Sequence, residues 1–97
     1  MEQITTQQLK DKINNGENFV LDLFATWCGP CKMLAKTLES ATTETPIEVV
    51  DIDENSELAA KFGIRGVPTL VMLQDDVETK RLVGMKPLKE LEDWLND

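Results

Sequence analysis

An α/β fold, with a central mixed β-sheet and helices on both of its faces, is what this sequence predicts. Three observations carry that expectation. Helix-like and strand-like stretches alternate along the chain. Two apolar runs of strand length, "FVLDLFA" (19–25) and "IEVVDI" (47–52), read as strands covered on both faces. Further on, two strand-like runs are separated only by "QDD", the pattern of an antiparallel hairpin.

Taken in order, residues 5–15 suit a helix. Thr5 and Gln8 have the spacing of a capping box, Leu9 and Ile13 share a face, and Gly16 stands where a C-terminal cap belongs. The strand 19–25 follows, interrupted by Asp22. From Pro30 to about Thr43 a second helix puts Leu34, Leu38 and Ala41 on one side. After strand 47–52, "NSELAAKFG" (55–63) is a short helix capped by Asn55 or Ser56 and stopped by Gly63. "TLVML" (69–73) and "VETKRLV" (77–83) form the hairpin, which Gly84 ends. Pro87 then opens a closing helix with Leu88, Leu91 and Leu95 in one stripe and Trp94 beside it. The order α-β-α-β-α-β-β-α makes 19–25 and 47–52 parallel neighbours across a right-handed crossover, with the hairpin extending the sheet past the first of them. No linker or repeat divides the 97 residues, so one domain is expected.

Eighteen acidic residues against ten basic give a net charge of −8. That excludes nucleic acid and anionic membranes as expected partners, because both require a basic face. No apolar run approaches the ~20 residues needed to span a bilayer. The opening "MEQITTQQLK" lacks a secretory profile, so a cytoplasmic location is expected. Nothing in the sequence demands more than a monomer.

Both cysteines lie in "FATWCGPCKML", and the chain has no histidine. A structural zinc or iron–sulfur site needs four ligands of the cysteine–histidine kind, so no metal is expected. Two readings remain: an inert buried pair, or a reactive one. Gly29 and Pro30 form an exposed turn that carries the sulfurs toward the surface at a helix start, which favours reactivity. Unpaired N–H groups and the helix dipole there stabilise a thiolate at Cys28, and Lys32 adds positive charge. Pro30 has the φ of a first helical turn, and Gly29 lets another chain approach the sulfur. Asp22 is the other anomaly, since a carboxylate flanked by Leu21 and Leu23 is costly unless paired or protonated. Desolvation should raise its pKa and let it take the Cys31 proton through water.

"WCGPC" after a buried strand, "GIRGVPT" downstream and a glycine closing the last strand together resemble the thioredoxin family, over about residues 5–95. The resemblance implies a thioredoxin fold and a dithiol–disulfide oxidoreductase that reduces protein disulfides. Its only redox group would be the Cys28–Cys31 disulfide, without further cofactor. Cys28 would be the nucleophile and Cys31 the resolving thiol, with Asp22 in the place of the family's buried aspartate. Trp27 would shield the sulfurs, Pro68 would be the cis-proline, and Val67 would pair with an incoming peptide as an added strand. Gly66, Gly84 and Met85 would complete the docking patch with Gly29 and Pro30. The partners implied are disulfide-containing proteins and a thioredoxin reductase, since no GxGxxG fingerprint for a nicotinamide cofactor occurs.

Some positions depart from the family pattern. Val49 replaces the lysine that usually pairs with the buried aspartate, which should make Asp22 more reluctant to ionise. Phe24 replaces a tryptophan, Lys36 replaces a kinking proline, and "QDD" replaces an Asn-Gly turn. The Gly-Pro pair between the cysteines resembles the reducing members rather than the oxidising ones. Two alternatives stand beside this reading: a redox-inert binding subunit on the same fold, and a glutaredoxin-like enzyme that uses glutathione, which Trp27 and Gly-Pro fit poorly.

Overall fold

The computed structural model describes residues 3–97. Its elements are α1 (Thr6–Asn14), β1 (Phe19–Phe24), α2 (Gly29–Ser40), β2 (Ile47–Asp51), α3 (Ser56–Lys61), β3 (Thr69–Gln74), β4 (Val77–Val83) and α4 (Leu88–Asn96). The strands form one mixed sheet in the order β2-β1-β3-β4. β1 is parallel to β2 and antiparallel to β3, and β3 is antiparallel to β4. This is the expected topology.

The double-sided apolar character of β1 explains its central place. Phe19, Leu21 and Leu23 point to one face, where they pack with Leu9 of α1, Val50 of β2 and Val71 and Leu73 of β3. Leu58 and Phe62 of α3 lie against the same cluster. Val20 points the other way and joins Leu34 and Leu38 of α2, Leu70 and Met72 of β3, and Leu91 and Leu95 of α4. Each such side chain contributes about 1.5–3 kcal/mol through burial. Strand side chains alternate, so Asp22 shares the face of Val20 and lies toward α2.

The helix ends follow local chemistry. Thr5 Oγ1 accepts the Gln8 N–H at 3.1 Å while the Gln8 side chain accepts the Thr5 N–H at 3.0 Å, a complete capping box worth about 1 kcal/mol. Gly16 and Gly63 adopt positive φ just beyond α1 and α3. Asn55 is the N-cap of α3, but its side chain makes no capping bond. Its amide donates to the Asp51 carbonyl at 2.9 Å and its Oδ1 accepts from the Thr6 hydroxyl at 2.6 Å. Pro87 is the N-cap of α4, one position before the helix proper.

Two boundaries differ from expectation. α2 stops at Ser40, three residues before the expected end near Thr43, and Ala41 is already extended with ψ 138°. The Thr42 N–H finds the Glu92 carboxylate at 2.7 Å, and the Asn96 amide donates to the Thr42 carbonyl at 2.8 Å. Partners on α4 therefore replace another helical turn. β3 runs through Gln74, so the hairpin turn is only Asp75–Asp76, with φ of 51° and 68°. Left-handed conformation at both positions suits a two-residue hairpin, and aspartate tolerates it better than most residues.

Candidate active site

Cys28 is the N-cap of α2, and Pro30 and Cys31 lie in the first helical turn. A disulfide joins Cys28 to Cys31. The Cys31 N–H donates to Cys28 Sγ at 3.1 Å, so a helix-terminal donor already points at the sulfur. The sulfurs are less open than the sequence suggested. Cys28 is 5% exposed and Cys31 4%, because Phe24, Ala25, Ile52 and Val67 close around them.

Of the residues assigned to the docking face, Val67 lies against this pair, and Pro68 and Gly84 connect to it through Val67. Trp27 is 69% exposed, and its indole N–H donates to an Asp53 carboxylate oxygen at 2.9 Å. The Val67–Pro68 peptide bond is cis, and the Val67 carbonyl oxygen lies 3.8 Å from Cys28 Sγ. Gly84 has φ of 89°, a conformation that a side chain would strain, and its N–H donates to the Pro68 carbonyl at 2.9 Å. That bond ties the end of β4 to the proline loop. A Cβ at Gly29 or Gly66 would meet nothing within 4 Å, so no internal packing requires glycine at either position. Met85 is half-buried against the α2–α4 cluster, which makes it a core contact at the rim of the face.

Asp22 lies beneath the disulfide. It is 3% exposed, and its Oδ1 has no hydrogen-bond partner among the described residues. Burial disfavours the carboxylate and pushes its pKa from 3.8 up to about 7. Asp22 and Cys31 both line a cleft of about 270 Å³, walled by Phe24, Ala25, Ala35 and Val49 with Lys32 beside it. A water occupies about 30 Å³ in the liquid, so the cleft has room for several between carboxyl and sulfur.

Asp53 is the site residue that the sequence did not reveal. Its bond to Trp27 spans 26 positions and no local pattern announces it. No group of three or more His, Cys, Asp or Glu able to hold a metal exists among the described residues. No helix there is long and apolar enough to cross a membrane.

A family model described as Thioredoxin matches residues 1–97. The chain belongs to the thioredoxin family. A thioredoxin from Staphylococcus saprophyticus is 39% identical over 92 residues, covering 91% of this chain and 88% of the relative. One from Bacillus subtilis is 42% identical over 79 residues, covering 77% and 76%. Among solved structures, a mutant thioredoxin from Halobacterium salinarum superposes with a TM-score of 0.83 at 34% identity, covering 96% of this chain and 84% of that one. Membership of the thioredoxin family, together with the Cys28–Cys31 pair, makes this chain a dithiol–disulfide oxidoreductase of the protein-disulfide reductase kind.

Proposed function

We propose that the protein donates two electrons to protein disulfides through Cys28 and Cys31, and that a separate thioredoxin reductase recharges it. The Cys28 thiolate attacks one sulfur of the substrate disulfide, whose S–S bond breaks and releases a substrate thiolate. Asp22 takes the Cys31 proton through water in the cleft. Cys31 then attacks Cys28 Sγ, the mixed disulfide breaks, and the second substrate thiolate leaves and is protonated. The enzyme ends oxidised, in the state of this structure. Asp22 gives its proton up to the second substrate thiolate, and the reductase returns two electrons that, with one proton for Cys31, restore the Cys28 thiolate.

The observation that carries this reading is a disulfide at a helix N-terminus, with a helix N–H on Cys28 Sγ and the Val67 carbonyl beside it. Trp27, Gly29, Pro30, Gly66, Val67, Pro68, Gly84 and Met85 frame the surface on which an extended substrate segment docks, Val67 pairing with it as a strand edge. The protein acts as a cytoplasmic monomer of one domain with no cofactor beyond its own sulfurs.

The test is insulin reduction. With dithiothreitol as electron source, the protein should precipitate insulin well ahead of dithiothreitol alone. With NADPH it should be inactive until a thioredoxin reductase is added. NADPH oxidation by the protein alone would contradict the division of labour proposed. A requirement for glutathione would favour the glutaredoxin-like alternative.

A further inference from the structure

We propose that the docking face selects disulfides flanked by acidic residues, because three cations with no ion pair among the described residues stand within two positions of Cys31, Val67 and Gly84 in an otherwise acidic chain. The inference rests on the reductase reading above and narrows its substrate class. Lys32 directly follows Cys31, is exposed, and lines the Asp22 cleft. Arg65, also exposed, immediately precedes the Gly66–Val67–Pro68 segment whose Val67 carbonyl lies 3.8 Å from Cys28 Sγ. Lys86, half-buried, stands two positions after Gly84, whose N–H holds the Pro68 carbonyl. The three belong to α2, the proline loop and the segment after β4, so different elements bring them to this end of the sheet.

None of the three makes an ion pair among the described residues, a state they share with Lys10, Lys36 and Lys61, whereas Lys12, Arg81 and Lys89 each hold a carboxylate. Lys80 is also engaged, with its ammonium on the Trp94 carbonyl and over the Trp94 ring. The acids that the structure places beside the sulfurs are Asp53, which accepts the Trp27 indole N–H, and the buried Asp22 of the cleft. Cations there are left for a partner.

The net charge of −8 repels an acidic substrate at long range. Range decides between the two effects. The Debye length is about 8 Å at physiological ionic strength. The molecule measures 31 × 29 × 22 Å, so most of its acidic surface lies beyond that distance from the sulfurs. A docked peptide therefore feels mainly the charges at this end, Lys32, Arg65 and Lys86 against Asp53. Complementary charges of this kind act chiefly on the association rate, and so on kcat/KM.

The experiment uses three disulfide-looped peptides of one central sequence, flanked by glutamates, glutamines or lysines. Their reduction by the dithiol protein is followed at about 0.15 M and about 1 M salt. At the lower salt, kcat/KM for the glutamate peptide should exceed that for the lysine peptide by about threefold or more. The ratio should shrink toward one at high salt, and in the Arg65→Gln/Lys86→Gln double variant. Equal rates, or a preference for the lysine peptide, would overturn the charge proposal while leaving the reductase reading intact. Failure to reduce any of the three would instead strike the reductase reading itself. A preference that survives in the double variant would assign selection to other residues and would also overturn the proposal.

Discussion

Cys28→Ser is expected to lower insulin reduction to the rate of dithiothreitol alone, the largest loss any single substitution in this chain should produce. A hydroxyl neither forms nor breaks a disulfide, so the first bond of the cycle cannot form. Cys31→Ser should fail differently, attacking once and stalling as a mixed disulfide that is visible by mass. The helix terminus alone does not account for the expected rate. Lowering a thiol pKa from ~8.5 to ~7 raises the thiolate fraction at neutral pH about sixteenfold, but weaker nucleophilicity returns roughly a factor of five, leaving about threefold. The remainder must come from holding a second thiol against the first, where effective concentrations far exceed those of free thiols. Cys31, joined to Cys28 within one turn of α2, is that thiol. Equal insulin-reduction rates for wild type and Cys28→Ser, neither above dithiothreitol alone, would support the redox-inert binding subunit instead.

Asp22→Asn should stabilise the oxidised protein at pH 8 by about 2–4 kcal/mol and slow the resolving step. The folded carboxyl titrates at about 7, against an ordinary value of 3.8. Below about pH 3 both folded and unfolded states hold the proton, and burial carries no ionisation penalty. As pH rises toward 7 the unfolded state releases its proton first, so wild-type stability falls, then levels off above the folded value. Three pH units correspond to about 4 kcal/mol as an upper bound. Urea unfolding at pH 3 and pH 8 should show the variant and wild type converging at the lower pH and separating at the higher. Kinetically, losing the proton acceptor should lengthen the life of the mixed disulfide about tenfold or more near pH 7. The defect should shrink as pH rises, because hydroxide then competes with Asp22 as acceptor of the Cys31 proton. Trp27 gives a fluorescence signal for that step. A variant with wild-type resolving kinetics and lowered stability would remove Asp22 from the mechanism.

The parts of this molecule legible in the sequence were those whose cause is local. β1 announced itself because a strand covered on both faces has no polar alternation. Asp22 stood out because nothing near it in the chain could offset its desolvation. The capping box on α1 is a short-range pattern, and the glycines at 16 and 63 mark helix ends by backbone conformation. What escaped depends on contacts between distant segments. The early end of α2 is set by Glu92, 50 positions beyond Thr42. The Trp27–Asp53 bond joins a loop after β1 to one after β2. The sulfurs are buried because Ile52 and Val67 arrive from elsewhere, although the Gly-Pro turn taken alone points outward. In the hairpin, two aspartates adopt the left-handed conformation that Asn-Gly more commonly supplies.

The pH dependence of Cys28 alkylation in the reduced protein tests the central claim most directly. Cys-X-X-Cys thiols at helix N-termini have lowered pKa values, thioredoxin being the standard instance of the rule, and the Cys31 N–H on Cys28 Sγ leads us to expect a lowered thiol pKa here. Iodoacetamide should modify Cys28 alone, with a rate profile whose midpoint lies clearly below ~8.5, while Cys31 stays unmodified. A midpoint at or above that value, or equal reactivity at both cysteines, would contradict the account.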